Sequence, residues 1–412
     1  MEPGTQFLLG SALRALHAAN ARKPFATDGP LSIASFAFGW PASELPTQHI
    51  AAYATTAAYG IGRGALSSKA GRLGLGLTAA AIAALWQEHR RMEEADAIVE
   101  QALVDALGED YRHGSADTPM PPTASSHQIW PSKRVHRRYV HDERVIYGAH
   151  GRRTSLDVWR RRDLPEDAGA PVLVQIHGGA WVVGDQTVQA YPLMSHLVER
   201  GWVCVSATYR LSPKARWPAH IEDVKRAIAW TKQNIARYGG NPSWLAITGG
   251  SAGGHLVSLA ALTPNDPQLQ PGFEDADTSV DAAVPFYGVY DWTNRDGNGR
   301  NDLQGFLARV VVQRPLHEVG DVLEAASSIS HVRADAVPFF FLHGTNDSLV
   351  PVAQARAMVE ALRAVSHNPV AYAELVGAQH AFDMFGSPRT RAVVHGVERF
   401  LDRCRSSRVP NP

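Results

Sequence analysis

The stretch "AITGGSAGGHLVSLAAL" (residues 246–262) decides how the chain reads. An apolar run ends in Thr248-Gly249-Gly250. A lone serine, Ser251, follows, and Ala252-Gly253-Gly254 opens a pattern of helical spacing. The local reading is strand, tight turn, helix. Residues 249–253 are G-x-S-x-G. A serine on such a turn holds strained backbone angles, and the residues two before and two after it must be tiny to clear the neighbouring strands. The helix that follows offers free N–H groups and the positive end of its dipole where an oxyanion would form. A serine among glycines also serves as a plain helix N-cap. The choice between nucleophile and cap rests on the rest of the chain.

Around this turn, short apolar runs ending in small or polar residues alternate with helical patterns. The runs are "PVLVQIHGG", "WVCVSATYR", "WLAITGG", "DAAVPFYG", "VPFFFLHG" and "PVAYAELVG"; the helical patterns cover residues 219–238, 252–262, 352–365 and 389–403. Near-continuous apolar strands with helical crossovers predict an α/β fold with a mostly parallel sheet covered on both faces. Chemistry then gathers in the loops beyond the carboxyl ends of the strands. "RVHRRYVHDERVIYG" and "RTSLDVWRR" alternate like a half-exposed antiparallel edge pair. The basic residues at 133–138 and 160–162 read as a solvated face that blocks edge-to-edge pairing.

A free serine is a weak nucleophile and needs a base, which in turn needs an orienting acid. In this type of sheet the chain order is Ser, Asp/Glu, His. "FFFLHGTNDSLVP" places Asp347 in the loop beyond a very apolar strand, and "AELVGAQHAFDMF" places His380 beyond the last one. Rival groups fit less well. His255 lies one helical turn after Ser251 and reads as packing. His343 reads as a structural hydrogen-bonding residue, His395 as surface or packing, and Asp383 as a local partner of His380. Asp291 also follows a strand and is the alternative acid. Upstream, "VLVQIHGGAWVVGD" puts His177-Gly178-Gly179 at another strand end. Glycines there let backbone N–H groups approach a substrate oxygen, with the Ala252 N–H as the partner donor.

Composition sets outer limits. The 412 residues hold a large domain plus an accessory region. Forty Lys+Arg against forty Asp+Glu leave no net charge, which excludes the basic excess of a nucleic-acid-binding protein. Two cysteines, Cys204 and Cys404, make neither a disulfide framework nor a Cys-based zinc site. The start carries Glu2 and no basic n-region, so no cleaved signal is expected, and the predicted location is cytoplasmic or peripheral to a membrane.

The first 110 residues are rich in Ala, Gly and Leu. Ile98, Val99, Ala102, Leu103, Ala106 and Leu107 recur at helical spacing, with Gly108 as the stop. "LGLGLTAAAIAALW" (residues 73–86) is 14 residues long, short of the roughly 20 a spanning helix needs. It reads as a buried core or cap helix, with membrane-surface association as the other reading. The Pro- and Ser-rich stretch that follows reads as a linker. The predicted organisation is a helical cap or accessory region over 1–111, a linker over 112–131 and a catalytic domain over 132–412.

Together these motifs resemble the α/β-hydrolases, and more narrowly the hormone-sensitive-lipase-like carboxylesterases and lipases. The carriers are "HGGAW" (177–181), "SATYRLSP" (206–213), "WPAHIEDVKRAIAW" (217–230), "GGSAGG" (249–254), "HGTNDSLVP" (343–351) and "GAQHAF" (377–382). The resemblance implies a mostly parallel eight-stranded sheet with helices on both faces, plus an N-terminal helical region. It implies a serine carboxylesterase hydrolysing short- to medium-chain esters through an acyl-enzyme on Ser251. In that scheme His380 is the base, Asp347 orients it, and the N–H groups of Gly178, Gly179 and Ala252 form the oxyanion hole. The scheme uses no metal or cofactor, and its partner is a small-molecule ester.

One position departs from the lipase-like branch, which carries three glycines after the histidine. Here Ala180 takes the third place, so bulky tertiary-alcohol esters are not an expectation. HGG-x-W is similar instead to carbohydrate-acetyl esterases and arylformamidases. An arylformamidase or amidase using the same triad is therefore one alternative. A membrane-associated lipase acting on longer acyl chains is another. A non-catalytic hydrolase-fold receptor would be expected to have lost a triad member. Trp181 and Phe382 flank the oxyanion loop and the base, as substrate walls or as packing. Some family members carry an N-terminal helical cap over the site, and the long N-terminal extension here is similar to that of mycobacterial-type lipase-esterases; peripheral membrane contact through this region is the accompanying expectation.

Overall fold

The structure, a computed structural model, describes residues 1–112 and 133–407. Apart from its first residue, the expected linker over 112–131 lies outside the described residues. Eight strands form one sheet: β1 (Val140–Ile146), β2 (Ser155–Trp159), β3 (Ala170–Ile176), β4 (Val203–Ala207), β5 (Gly240–Gly250), β6 (Ala282–Phe286), β7 (Phe339–Gly344) and β8 (Val370–Leu375). Their order is β1-β2-β4-β3-β5-β6-β7-β8. The β1–β2 and β2–β4 pairs are antiparallel and all others parallel. Ahead of the sheet run α1 (Pro3–Arg22), α2 (Leu31–Glu44), α3 (Pro46–Gly62), α4 (Lys69–Glu93), α5 (Ala95–Leu107) and α6 (Lys133–Tyr139). After it has begun come α7 (Tyr191–Glu199), α8 (Ala219–Asn234), α9 (Ala252–Leu262), α10 (Leu303–Phe306), α11 (Gly320–Ala326), α12 (Ala353–Val365) and α13 (Pro388–Ser406).

The period of two along each strand divides the core into two layers. On one face Val172, Val174 and Ile176 of β3 and Val203 and Val205 of β4 pack with α8, α9 and α12. On the other, Leu173 and Cys204 pack with α5, α7 and α13. Helices on both faces explain why these strands are apolar at nearly every position. α5 belongs to this second layer: Val99, Ala102 and Leu103 are buried there, and Gly108 caps the helix with a φ of 85°. The helices before it form small clusters of their own, with Ala18, Ala42, Tyr53, Ala81 and Leu85 in one and Phe7, Ala57 and Ala65 in another.

Two expectations change. The first half of the predicted edge strand is α6 instead. Val135, His136 and Tyr139 fall on one helical face and are buried, and His136 Nε2 lies 2.9 Å from Asp157 Oδ2. A 3.6-residue period fits this burial, so the helix wins over the alternating reading. The apolar stretch at 73–86 is likewise no buried core helix. It is the middle of α4, whose inner face is Gly71, Gly74, Thr78, Ala81 and Leu85, while Leu73 and Trp86 stand in solvent.

Candidate active site

Ser251 sits between β5 and α9 with φ 59° and ψ −121°, a conformation L-residues avoid and surrounding structure must hold. Its N–H donates to Phe286 O (3.0 Å), and the His255 N–H donates back to its carbonyl (3.0 Å). The flanking glycines have a steric reason. A Cβ on Gly249 would lie 2.6 Å from Ile176 O, and one on Gly253 2.2 Å from the same oxygen. The Ser251 side chain is half-buried.

Asp347 and His380 come together across 33 residues. His380 Nδ1 lies 2.7 Å from Asp347 Oδ2. The other carboxylate oxygen accepts the N–H groups of Leu349 (2.9 Å) and Val350 (2.8 Å). Burial alone would raise the Asp347 carboxyl, but the charges and hydrogen bonds of His380 and His343 outweigh it and hold the group well below the usual carboxylate range. Gln379 ties the two loops together: its Oε1 accepts the N–H of Ser348 (2.8 Å) and of His380 (2.9 Å).

Tyr287 lies beside His380 and against the turn that carries Ser251. Its ring lies 4.6 Å from the His380 ring, centroid to centroid, and a Cβ on Gly250 would approach it to 2.7 Å. The Tyr287 hydroxyl donates to Asp383. Asp383 is thus the local partner the sequence suggested, although what it holds is the tyrosine beside the base.

The glycine loop packs directly on the serine. A Cβ on Gly178 would lie 3.0 Å from Ser251 Cβ and 2.5 Å from Gly250 O. Gly179 has φ 120°, with Ala180 and Trp181 also at positive φ. Gly178 requires a correction as a free donor, because its N–H is committed to Gln189 Oε1 at 2.7 Å. Neither Gly179 N–H nor Ala252 N–H has an acceptor among the described residues.

His177 organises this loop: it is fully buried, stacked on Tyr209 (4.4 Å), within 3.1 Å of Thr208 Oγ1, and lowered by burial to a pKa of about 4. Tyr209 returns a hydrogen bond to His177 O (3.1 Å), and Arg210 pairs with Asp223 (2.8 Å) and Glu222 (3.1 Å).

Trp181 and Phe382 are core packing in this structure. Trp181 lies edge-on to Trp292 and donates its Nε1–H to His255 Nδ1 (3.3 Å); Phe382 is sealed against Tyr287 and Phe286. His255 is buried, with Nε2 2.7 Å from Ala326 O, and burial lowers its pKa to about 4. Asp291 accepts the N–H groups of Thr293 and Arg295 and closes its own turn.

Three further contributors support the site: His343, read from the sequence as a structural hydrogen-bonding residue, and two that sequence reasoning missed. His343 Nε2 lies 3.2 Å from Asp347 Oδ2, the oxygen that also meets His380, and 2.9 Å from Val350 O. Its i, i+4 spacing to Asp347 in a strand-end loop was the available signal. Gln189 left no local signal. The third is α2. Phe36 meets the His380 ring edge-on at 6.1 Å, Trp40 Nε1 donates to Ala381 O (3.0 Å), and Ser348 Oγ donates to Ser32 O (3.3 Å). Glu44, at the end of α2, pairs with fully buried Arg389 and accepts from Ser387 Oγ (3.0 Å).

A serine on a strained strand-to-helix elbow, a hydrogen-bonded His–Asp pair on later strand ends and a glycine loop against the serine define a serine hydrolase of the α/β-hydrolase fold. Over residues 156–362 the chain matches the BD-FAE family. It is 47% identical to the probable carboxylic ester hydrolase LipM of Mycobacterium tuberculosis, across 96% of this chain and 92% of that protein. It is 49% identical to esterase LipQ of the same organism, across 75% of each. Among solved structures, Thermogutta terrifontis esterase 2 with butyrate bound is similar at TM-score 0.54 and 25% identity, over 66% of this chain and 96% of that one. A truncated carbohydrate esterase from gut microbiota shares the fold at TM-score 0.56 and 22% identity, over 67% and 99% of the respective chains. The chain belongs to the BD-FAE family and is a carboxylic ester hydrolase. The likeness to LipM is long enough to take in the N-terminal helices as well.

Proposed function

We propose that the chain hydrolyses short- to medium-chain carboxylic esters through an acyl-enzyme on Ser251. The observation that carries this reading is the hydrogen-bonded Asp347–His380 pair (2.7 Å) beyond later strands, together with the strained Ser251 elbow at the end of β5. Ser251 Oγ attacks the ester carbonyl as His380 Nε2 takes its proton. Asp347 accepts the Nδ1–H, fixes the tautomer and stabilises the imidazolium. The N–H groups of Gly179 and Ala252 receive the oxyanion; Gly178 joins them only when Gln189 releases its N–H. Collapse of the tetrahedral intermediate breaks the bond to the alcohol, which leaves with the proton from His380. Water, deprotonated by His380, then releases the acid and restores Ser251.

Residues 1–111 act in this reading as a cap over a catalytic domain spanning 132–412, with 112–131 as the link. The contacts of Phe36 and Trp40 with the base loop support that division. Peripheral membrane contact through the same region belongs to the proposal, supported by its exposed apolar side chains. Ser251→Ala should lower turnover of p-nitrophenyl butyrate by about 10⁴-fold or more with the melting temperature little changed. Retained activity refutes the assignment. An acyl series from acetyl to palmitoyl on the wild type then tests the chain-length preference.

A further inference from the structure

Helices α1, α2 and α4 turn many of their large apolar side chains outward. α2 buries Ser32, Ser35, Gly39 and Ser43 and turns Leu31 (67% exposed), Ile33 and Phe38 to solvent. α1 exposes Leu9, Leu13 (65%) and Leu16, spaced to form one stripe. α4 exposes Leu73 and Trp86 at either end of a solvent face made of Gly and Ala. Twelve of the eighteen large apolar side chains that the described residues expose lie before Glu93. Soluble monomers do not ordinarily concentrate such surface in one region.

The packing inside is equally unusual for a water-facing bundle. α1 and α4 meet through small residues: a Cβ on Gly74 would lie 3.0 Å from Leu8 Cα, and Thr78 Oγ1 donates to Ser11 Oγ across the interface (2.9 Å). Small residues at the seam, a hydrogen bond between helices and apolar faces outward are how helices pack when the surrounding medium is itself apolar. Among the described residues no helix is long and apolar enough to cross a membrane, so these helices would lie along a lipid layer rather than through it. Residues 1–87 carry six Lys/Arg against three Asp/Glu, one of which, Glu44, is buried against Arg389. This local positive balance, in a chain of zero net charge, suits anionic headgroups.

We propose that α1–α4 are a docking module for an anionic lipid surface, seating their apolar faces among the acyl chains so that esters dissolved in that layer pass along α2 to Ser251. The delivery step rests on the ester-hydrolase reading above; the docking does not. α2 suits the role because its outer face is apolar while its inner side touches the base loop through Phe36 and Trp40. Val183 and Val188, exposed just beyond the glycine loop, extend the apolar rim.

The full chain is tested by flotation with phosphatidylcholine vesicles with and without phosphatidylglycerol. The wild type should float, more completely with the anionic lipid, and its tryptophan emission should shift to the blue as Trp86 leaves water. The variant Leu13→Ser, Leu16→Ser, Trp86→Ala should lose vesicle binding by about tenfold or more. It should lose hydrolysis of a vesicle-borne long-chain ester to a similar extent, yet keep hydrolysis of soluble p-nitrophenyl acetate within about twofold. That soluble activity shows the variant is folded; Leu73→Ser alone is the milder variant should the triple one fail to fold. A wild type that stays with the soluble fraction overturns the proposal. So does sedimentation showing a dimer that the variant converts to monomer, which would make the face an interface between copies. Flotation by a wild type that hydrolyses neither ester supports the docking and overturns the ester reading.

Discussion

Gly178→Ala is the most informative single change, because its cost follows from the close approaches around this residue. The added methyl would lie 2.5 Å from Gly250 O and 3.0 Å from Ser251 Cβ. Ordinary van der Waals contact begins near 3.4 Å, so one side must retreat by about 0.9 Å. The glycine loop is held behind by the Tyr209 hydrogen bond to His177 O and by Gly184 against the His177 ring. The elbow is held by the Ser251 N–H bond to Phe286 O. The displacement therefore falls between the nucleophile and the Gly179 N–H. A misplacement of about 1 Å costs on the order of 10²-fold in rate. Steady-state hydrolysis of p-nitrophenyl butyrate should show kcat down by about 100-fold with KM changed little. Overpacking should cost about 1–3 kcal/mol of stability, read as a fall of a few degrees in Tm. The control is Gly76→Ala in α4, which meets nothing within 4 Å and should stabilise the helix by about 0.5–1 kcal/mol. A Gly178→Ala enzyme with wild-type kcat would refute the steric reasoning.

Two further perturbations probe the surroundings of His380. The Asp347 carboxyl titrates below its unfolded value of 3.8, so its stabilising effect is complete above that value and is lost as pH falls toward the folded one. The gap in Tm between wild type and Asp347→Asn should therefore be full near neutrality and begin to narrow only below about pH 4; a gap that does not change on acidification refutes the linkage. Tyr287→Phe removes the hydroxyl that donates to half-buried Asp383. Leaving that acceptor unpaired should cost about 1–3 kcal/mol in a denaturant melt, and an unchanged midpoint would show that the carboxyl finds another partner.

The sheet and the reactive residues were legible because both are local. An apolar strand, a glycine turn and a helix in sequence specify the Ser251 elbow, and the same grammar marks Asp347 and His380 at later strand ends. What stayed hidden was set by distant partners. Nothing near Gly178 announces that Gln189 takes its N–H, and nothing near His380 announces Phe36, 344 positions earlier in the chain. The helical stretch at 73–86 misled for a different reason. Apolar composition there suits a buried core helix, a cap helix or a membrane-surface helix alike, and in α4 Gly74 and Thr78 face inward while Leu73 and Trp86 face out. At 133–139 alternation and helical periodicity overlapped, and the docking of Val135, His136 and Tyr139 decided between them.

The Glu44–Arg389 pair has a consequence for biosynthesis. Residues that fasten α2 in place, Ala381, Ser387 and Arg389, lie more than 340 positions after it. A ribosome releases α1–α4 well before the residues that anchor them. During most of translation the N-terminal helices have no sheet to rest on, and their outward leucines and aromatics are open to chaperones or to whatever apolar phase is nearby. Docking of α2 onto the base loop therefore waits for residues made long after it, so α2 finds its place later than its order in the chain suggests.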